Sequence, residues 1–162
     1  GTTMGCLISE AQFDKVMNYI DIAGQEGARL VAGGKRPADP ALAKGWFVEA
    51  TVFADVSPQM RIFKEEVFGP VLSIIKWSDE EQLIADINSV EYGLTASIYT
   101  RELTLAHRLA RRIEAGYIWI NTSSAHYIGT SFGGYKKSGM GREEGLEELL
   151  AYTQVKNIHV ML

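Results

Sequence analysis

One cysteine, Cys6, stands in 162 residues, so no internal disulfide can form and a reducing compartment, the cytoplasm, is the expected setting. No apolar run approaches the ~20 residues that a membrane helix needs, and the strongest, around Val71 and Ile75, is broken by Ser73. Basic residues are outnumbered, 16 against 20 acidic for a net charge of −4, which leaves no broad cationic face for a phosphate backbone and excludes nucleic acid as an expected partner. The first residues lack a basic stretch followed by an apolar one, so no secretory leader is expected. Only four prolines and no long polar tract argue against disorder. The three histidines, His107, His126 and His159, are too scattered for a metal-ligand pattern.

What is present is a chain with 46% hydrophobic residues, enough for one compact domain with a core. Ser9 and Gln12 fit a capping box, and Phe13, Val16, Met17 and Ile20 follow at helical spacing, which predicts a helix from about Glu10 toward Gly24. "ARLVAGG" reads as a strand closed by glycines, residues 35–45 as a loop, and "WFVEATVFADV" as a second strand region that stops near Pro58. From there the pattern is regular. "PVLSIIKW" is a strand, Ser78 and Glu81 form a second capping box ahead of a helix with Leu83, Ile84 and Ile87, and "TASIYT" is a strand. Leu103, Ala106, Leu109, Ala110 and Ile113 mark the next helix, closed by Gly116, and "YIWIN" is a strand. This alternation implies right-handed crossovers and an α/β fold, a mostly parallel sheet with helices on both faces. A last helix over about 143–152 precedes a weakly alternating tail, "VKNIHVML", an edge strand either paired within the chain or donated to another subunit.

In such sheets ligands gather beyond the carboxyl ends of the strands, which points to the segments after Trp77, Thr100 and Asn121. The last of these, 122–141, is glycine-rich and nearly aperiodic. Familiar motifs fail there. "SGMGREEG" spaces its glycines as G-x-G-x-x-x-G with no strand before it and reads as a turn into a helix, and in "GTSFGGYK" a tyrosine stands between Gly134 and Lys136, so it is no phosphate loop. No G-x-S-x-G elbow occurs. Arg108, Arg111 and Arg112 beside Glu114 read as a solvated helix face. Cys6 lies near a helix start, where a thiol is acidified, but no base accompanies it in sequence, and it reads as incidental.

Six stretches taken in order, "MGCLISEAQFDKVMNYI", "GWFVEATVF", "EEVFGPVLSI", "EYGLTASIYT", "GYIWINT" and "SFGGYKKSGMGREEG", resemble the C-terminal half of the NAD(P)-dependent aldehyde dehydrogenase superfamily across nearly the whole chain. Betaine-aldehyde-dehydrogenase-like members are among those it is similar to. Members of that family are considerably longer, and the resemblance places the coenzyme domain, the nucleophilic cysteine, the oxyanion-hole asparagine and the glutamate general base upstream of Gly1. It implies part of a catalytic domain over 1–153, an oligomerisation strand over 154–162, no catalytic residue in this chain, and an inactive isolated chain. The intact protein is then expected to oxidise an aldehyde to a carboxylic acid through a cysteine thioester, with NAD or NADP, as a homodimer or homotetramer. The alternative is a non-enzymatic truncated product acting only in subunit association. An acyl-CoA-forming variant would differ in an acyl acceptor whose determinants lie outside this chain. Two departures stand out: Cys6 and Ala50 each occupy a position where the family usually has proline.

The stretch "KEEVFGPVLSIIKW" sets two carboxylates ahead of an aromatic residue and a Gly-Pro pair. On the residues alone, Glu65 and Glu66 are a charged turn before a strand. The resemblance instead makes Glu66 the acceptor of both hydroxyls of the nicotinamide ribose, since a carboxylate accepts two donors at once, with Phe68 packed near the nicotinamide and Glu65 structural. Likewise Phe132 is either a core ring beside Gly133 and Gly134 or, by resemblance, part of the wall of the aldehyde tunnel formed by 122–132, with Ser123 and Ile128 as further substrate contacts. An aromatic wall there suits apolar aldehydes and also a quaternary ammonium group.

Overall fold

The Ser9 hydroxyl accepts the amide hydrogen of Gln12 at 3.2 Å and opens α1, Glu10–Gln25, in the computed structural model, which describes residues 4–162. The buried face of α1 carries Val16, Tyr19, Ile20 and Ala23 at the expected helical spacing. Next come β1 (Arg29–Ala32), a 3-10 turn at Pro40–Leu42, β2 (Thr51–Ala54), the single-turn α2 (Arg61–Lys64) and β3 (Val71–Ser73). β2 is the centre of this sheet, antiparallel to β1 and parallel to β3 with Val52 opposite Leu72. Phe53 of β2, 1% exposed, packs with α1 and with Val56, Ile62 and Val67. Buried Thr51 is satisfied: its hydroxyl donates to the Glu49 carbonyl at 2.8 Å and accepts from the Gly34 amide at 2.9 Å. These elements form one compact unit ending at Glu80.

The second unit, Glu81–Leu162, is entered through α3 (Glu80–Asn88). It holds β4 (Tyr92–Gly93), β5 (Thr95–Ile98), α4 (Leu103–Arg112), β6 (Tyr117–Ile120), β7 (Tyr135–Lys136) and α5 (Leu146–Ala151). β5 and β6 are parallel and joined through α4, the expected strand-helix-strand unit, while β4 and β7 form a short antiparallel pair. Ile84, Ile98, Ala106, Leu109, Ile113 and Ala115 make its core.

The α/β class and the parallel pairs are as the alternation implied. Two core clusters occur where the length suggested one. The strand expected across "WFVEATVFADV" narrows to β2, because residues 46–50 reach only isolated partners, such as Glu49 to the Lys35 carbonyl at 2.9 Å. Gly116 does not close α4: the backbone is already extended at Ile113, and Gly116 serves a close approach, since a Cβ there would sit 1.8 Å from the Gly133 carbonyl oxygen. Residues 154–162 join no strand ladder among the described residues, and Val155, Ile158, Val160 and Met161 are exposed. No described helix is long and apolar enough to cross a membrane.

Candidate functional site

The two carboxylates of "KEEVFG" have different fates. Glu65 caps α2 in extended backbone, which sends its side chain and that of Glu66 to opposite sides of the chain. Its carboxylate receives the Arg61 guanidinium in a bidentate grip, Nε to Oε1 at 2.8 Å and Nη2 to Oε2 at 2.7 Å, and the Tyr19 hydroxyl donates to Oε2 at 2.5 Å. Arg61 also lies over the Tyr19 ring, 5.2 Å from its centroid, and its amide donates to the Glu26 carboxylate. The Arg61 hydrogen bonds, followed by that from Tyr19, hold the Glu65 carboxyl down at about 2, and the same contacts push the Arg61 and Tyr19 values up. Glu65 is therefore occupied in the fold. The exposed Glu66 carboxylate, in contrast, has no hydrogen-bond or ion-pair partner among the described residues. Only the Glu66 carbonyl is engaged, accepting from Lys15 at 3.1 Å.

Phe68 follows in the left-handed region at φ 57 with 71% of its surface exposed. A phenylalanine does not favour that conformation. What holds it is Gln12, whose amide donates to the carbonyls of Val67 and Phe68 at 3.1 and 2.9 Å. Beneath it Val67 is buried, and Gly69 fits against α1 because a Cβ there would lie 2.5 Å from a Val16 methyl. The Pro70 carbonyl then accepts from Thr51 and starts the β2–β3 ladder.

The Glu65 cluster carries a pH signature. Because the folded-state value lies below the ordinary carboxylate range, its contribution to stability is complete above about 4.5 and is lost as pH falls toward about 2. With 41% of the Glu65 side chain and 45% of that of Arg61 exposed, the effect is modest and weakens with salt. Thermal unfolding of the chain and of its Glu65→Gln variant across this window should converge at the acid end. Parallel pH profiles would remove the cluster from the account.

In the second unit, the Asn121 side chain clasps the Thr100 backbone from both sides, accepting its amide hydrogen at 2.9 Å and donating to its carbonyl at 3.0 Å. This ties together the carboxyl ends of β5 and β6. The chain then turns through left-handed Asn121 and Ser124, and the Trp119 indole fixes the turn by donating to the Ala125 carbonyl at 2.7 Å. Phe132 pairs with Glu143 through reciprocal backbone hydrogen bonds of 2.8 and 2.7 Å. Its half-buried ring lies 5.5 Å from Tyr117 and 4.8 Å from His126, and Trp119 completes the cluster 4.9 Å from Tyr117. His126 Nδ1 meets both oxygens of Glu144 at 2.9 and 3.1 Å. Phe132 also lines a cavity of about 400 Å³ with Leu94, Arg142, Glu148 and Tyr152.

Glu66 and Phe68 thus lie on the first unit, and Ser123, Ile128 and Phe132 on the second. Ser123 and Ile128 are exposed on the loop, Ile128 fully, and no hydrogen bond or ring contact among the described residues joins either to Phe132. Sequence reasoning passed over Tyr117, Trp119, His126 and Glu144. Tyr117 and Trp119, two apart on a strand and hence on one face, were a usable signal; the pairing of His126 with Glu144 left none. Cys6 is exposed, and no cluster of three or more potential metal ligands occurs among the described residues.

The aldehyde dehydrogenase family pattern matches residues 1–158. The aldehyde dehydrogenase tropH of Talaromyces stipitatus is 50% identical over 99% of this chain and 32% of its own length, and a betaine aldehyde dehydrogenase of Brucella anthropi is 44% identical over 98% and 33%. Among solved structures, the NAD+ complex of an aldehyde dehydrogenase from Bacillus cereus superposes with a TM-score of 0.89 at 42% identity, covering 96% of this chain and 31% of that one. An aldehyde dehydrogenase of Mycobacterium tuberculosis complexed with NAD+ gives 0.87 at 46% identity, over 93% and 31%. The chain spans about a third of the length of the relatives it matches.

Proposed function

The chain belongs to the aldehyde dehydrogenase family, a family of oxidoreductases, and from this premise we propose that it is the C-terminal third of an NAD(P)-dependent enzyme that oxidises an aldehyde to its carboxylic acid. The observation that carries the reading is the division of labour between neighbouring carboxylates: Glu65 is locked to Arg61 and Tyr19, while the Glu66 carboxylate is exposed and has no partner among the described residues, next to an exposed Phe68. An acceptor-only side chain next to an open ring fits a ribose diol and a planar base. When bound, the nicotinamide supplies the acceptor for the aldehyde hydride. Glu66 would accept the two ribose hydroxyls, Phe68 would pack at the nicotinamide end, and Gln12 would keep Phe68 in place. In the second unit Phe132, with Ser123 and Ile128 on the loop before it, would line the approach of the aldehyde. The nucleophilic cysteine and the general base would come from the remainder of the protein.

The tail over 154–162 supports a homodimer or homotetramer, because a segment with exposed Val155, Ile158 and Val160 and no ladder among the described residues suits pairing with another subunit. The cytoplasm is the compartment proposed, where lone Cys6 stays reduced. The test is direct. The full-length protein given NAD or NADP and a panel of aldehydes should accumulate reduced nicotinamide and behave as an assembly in light scattering, whereas the 162-residue chain alone should give no turnover. Coenzyme binding without oxidation of any aldehyde would overturn the activity, and a monodisperse monomer would overturn the role of the tail.

A further inference from the structure

We propose that His126 is a specificity-determining residue that favours aldehydes bearing a hydroxyl group, an inference that rests on the dehydrogenase reading above. The imidazole is held on several sides. Tyr117 stacks on it with centroids 5.8 Å apart and planes 13° from parallel, Phe132 tilts against it at 4.8 Å, and Trp119 meets it edge-on at 5.8 Å. In the ring plane Nδ1 faces both oxygens of Glu144.

Glu144 is itself fixed. Its backbone is left-handed at φ 64, its amide donates to the Glu148 carboxylate at 2.7 Å, and its carbonyl accepts from Gly129 at 2.7 Å. A carboxylate facing Nδ1 selects the tautomer with the hydrogen on that nitrogen, and in that tautomer Nε2 is left as an acceptor. Nε2 has no hydrogen-bond partner among the described residues, and the side chain remains 39% exposed. A preset acceptor therefore stands beside the ring proposed to line the aldehyde approach. Its ordering precedes binding, so a hydroxyl donor meets it without the loss of rotamer freedom that a mobile side chain would incur. The same acceptor gains nothing from an alkyl or ether group in that place.

The experiment compares kcat/KM of the full-length enzyme for 3-hydroxybenzaldehyde and 3-methoxybenzaldehyde, of which only the first donates a hydrogen bond. The native enzyme should favour the hydroxyl compound by about fivefold, the scale of one neutral hydrogen bond. His126→Phe, which keeps a ring in the aromatic cluster, should abolish the preference while still oxidising the methoxy compound. Glu144→Gln, whose amide no longer dictates which imidazole nitrogen carries the hydrogen, should reduce the preference without altering the ring. A preference unchanged in both variants overturns the assignment and leaves the dehydrogenase reading standing. Failure of the native enzyme to oxidise either aldehyde, with turnover of others in the panel, overturns the preference alone, and only failure on every aldehyde overturns the dehydrogenase reading as well.

Discussion

Glu66→Gln in the full-length enzyme should lower turnover by about 10- to 100-fold, with the loss falling on hydride transfer. Glutamine preserves shape and one acceptor oxygen but surrenders the charge and the second acceptor, and hydrogen bonds to a charged group are worth roughly 1.5–3 kcal/mol. At about 1.4 kcal/mol per tenfold in rate, this sets the range. Because the substitution is expected to misorient the nicotinamide rather than disturb the thioester, the isotope effect on a deuterated aldehyde should rise as hydride transfer becomes limiting. Glu65→Gln offers the contrast, since its carboxylate serves Arg61 and Tyr19: it should lower stability and leave the isotope effect unchanged. Native turnover and a native isotope effect in Glu66→Gln would remove that residue from the cofactor site.

Gly116→Ala should destabilise the second unit by about 3 kcal/mol, the upper range for forcing atoms into packed structure, and lower its melting temperature by roughly 12–24 °C. The φ at Gly116 is not positive, so conformational preference is not the cause. The added Cβ would lie 1.8 Å from the Gly133 oxygen and 3.0 Å from the Gly134 Cα, and these backbone atoms have no rotamer to change. Gly24→Ala in α1 is the matched control. A Cβ there meets nothing within 4 Å, and alanine in a helix should stabilise by roughly 0.5–1 kcal/mol. Equal melting temperatures in the two variants would show that the contact at Gly116 relaxes at no expense.

The capping box at Ser9 and Gln12 shows where sequence reading succeeds and where it stops. Its first half is local and forms as expected, Ser9 accepting from Gln12; its second half is claimed by tertiary structure, because the Gln12 amide reaches to Val67 and Phe68. The same division holds elsewhere. α1, α3, α4, β5 and β6 were legible from periodicity, whereas α2, β4 and β7 are too short to show any. In the stretch "KEEVFG" the residues alone gave only a charged turn, and the duties of Glu65 and Glu66 came from the resemblance, since the partner of Glu65, Tyr19, lies 46 residues away. His126 read only as one of three histidines too scattered to bind metal, because its partner Glu144 lies 18 residues on, beyond any local pattern.

The convergence of backbone around Gly116 bears on how such a protein can change over generations. Gly116 donates to the Gly93 carbonyl at 3.0 Å and abuts Gly133, while Gly93 has room for no side chain against the Glu114 carbonyl. Each of these positions forbids what its neighbours could otherwise tolerate, so a replacement at one requires the others to move with it. The main chain under the aromatic cluster is thereby closed to stepwise drift. Under the proposed function, adaptation to a new aldehyde would be left to the side chains of the exposed loop, where Ser123, Tyr127 and Ile128 stand clear of that frame.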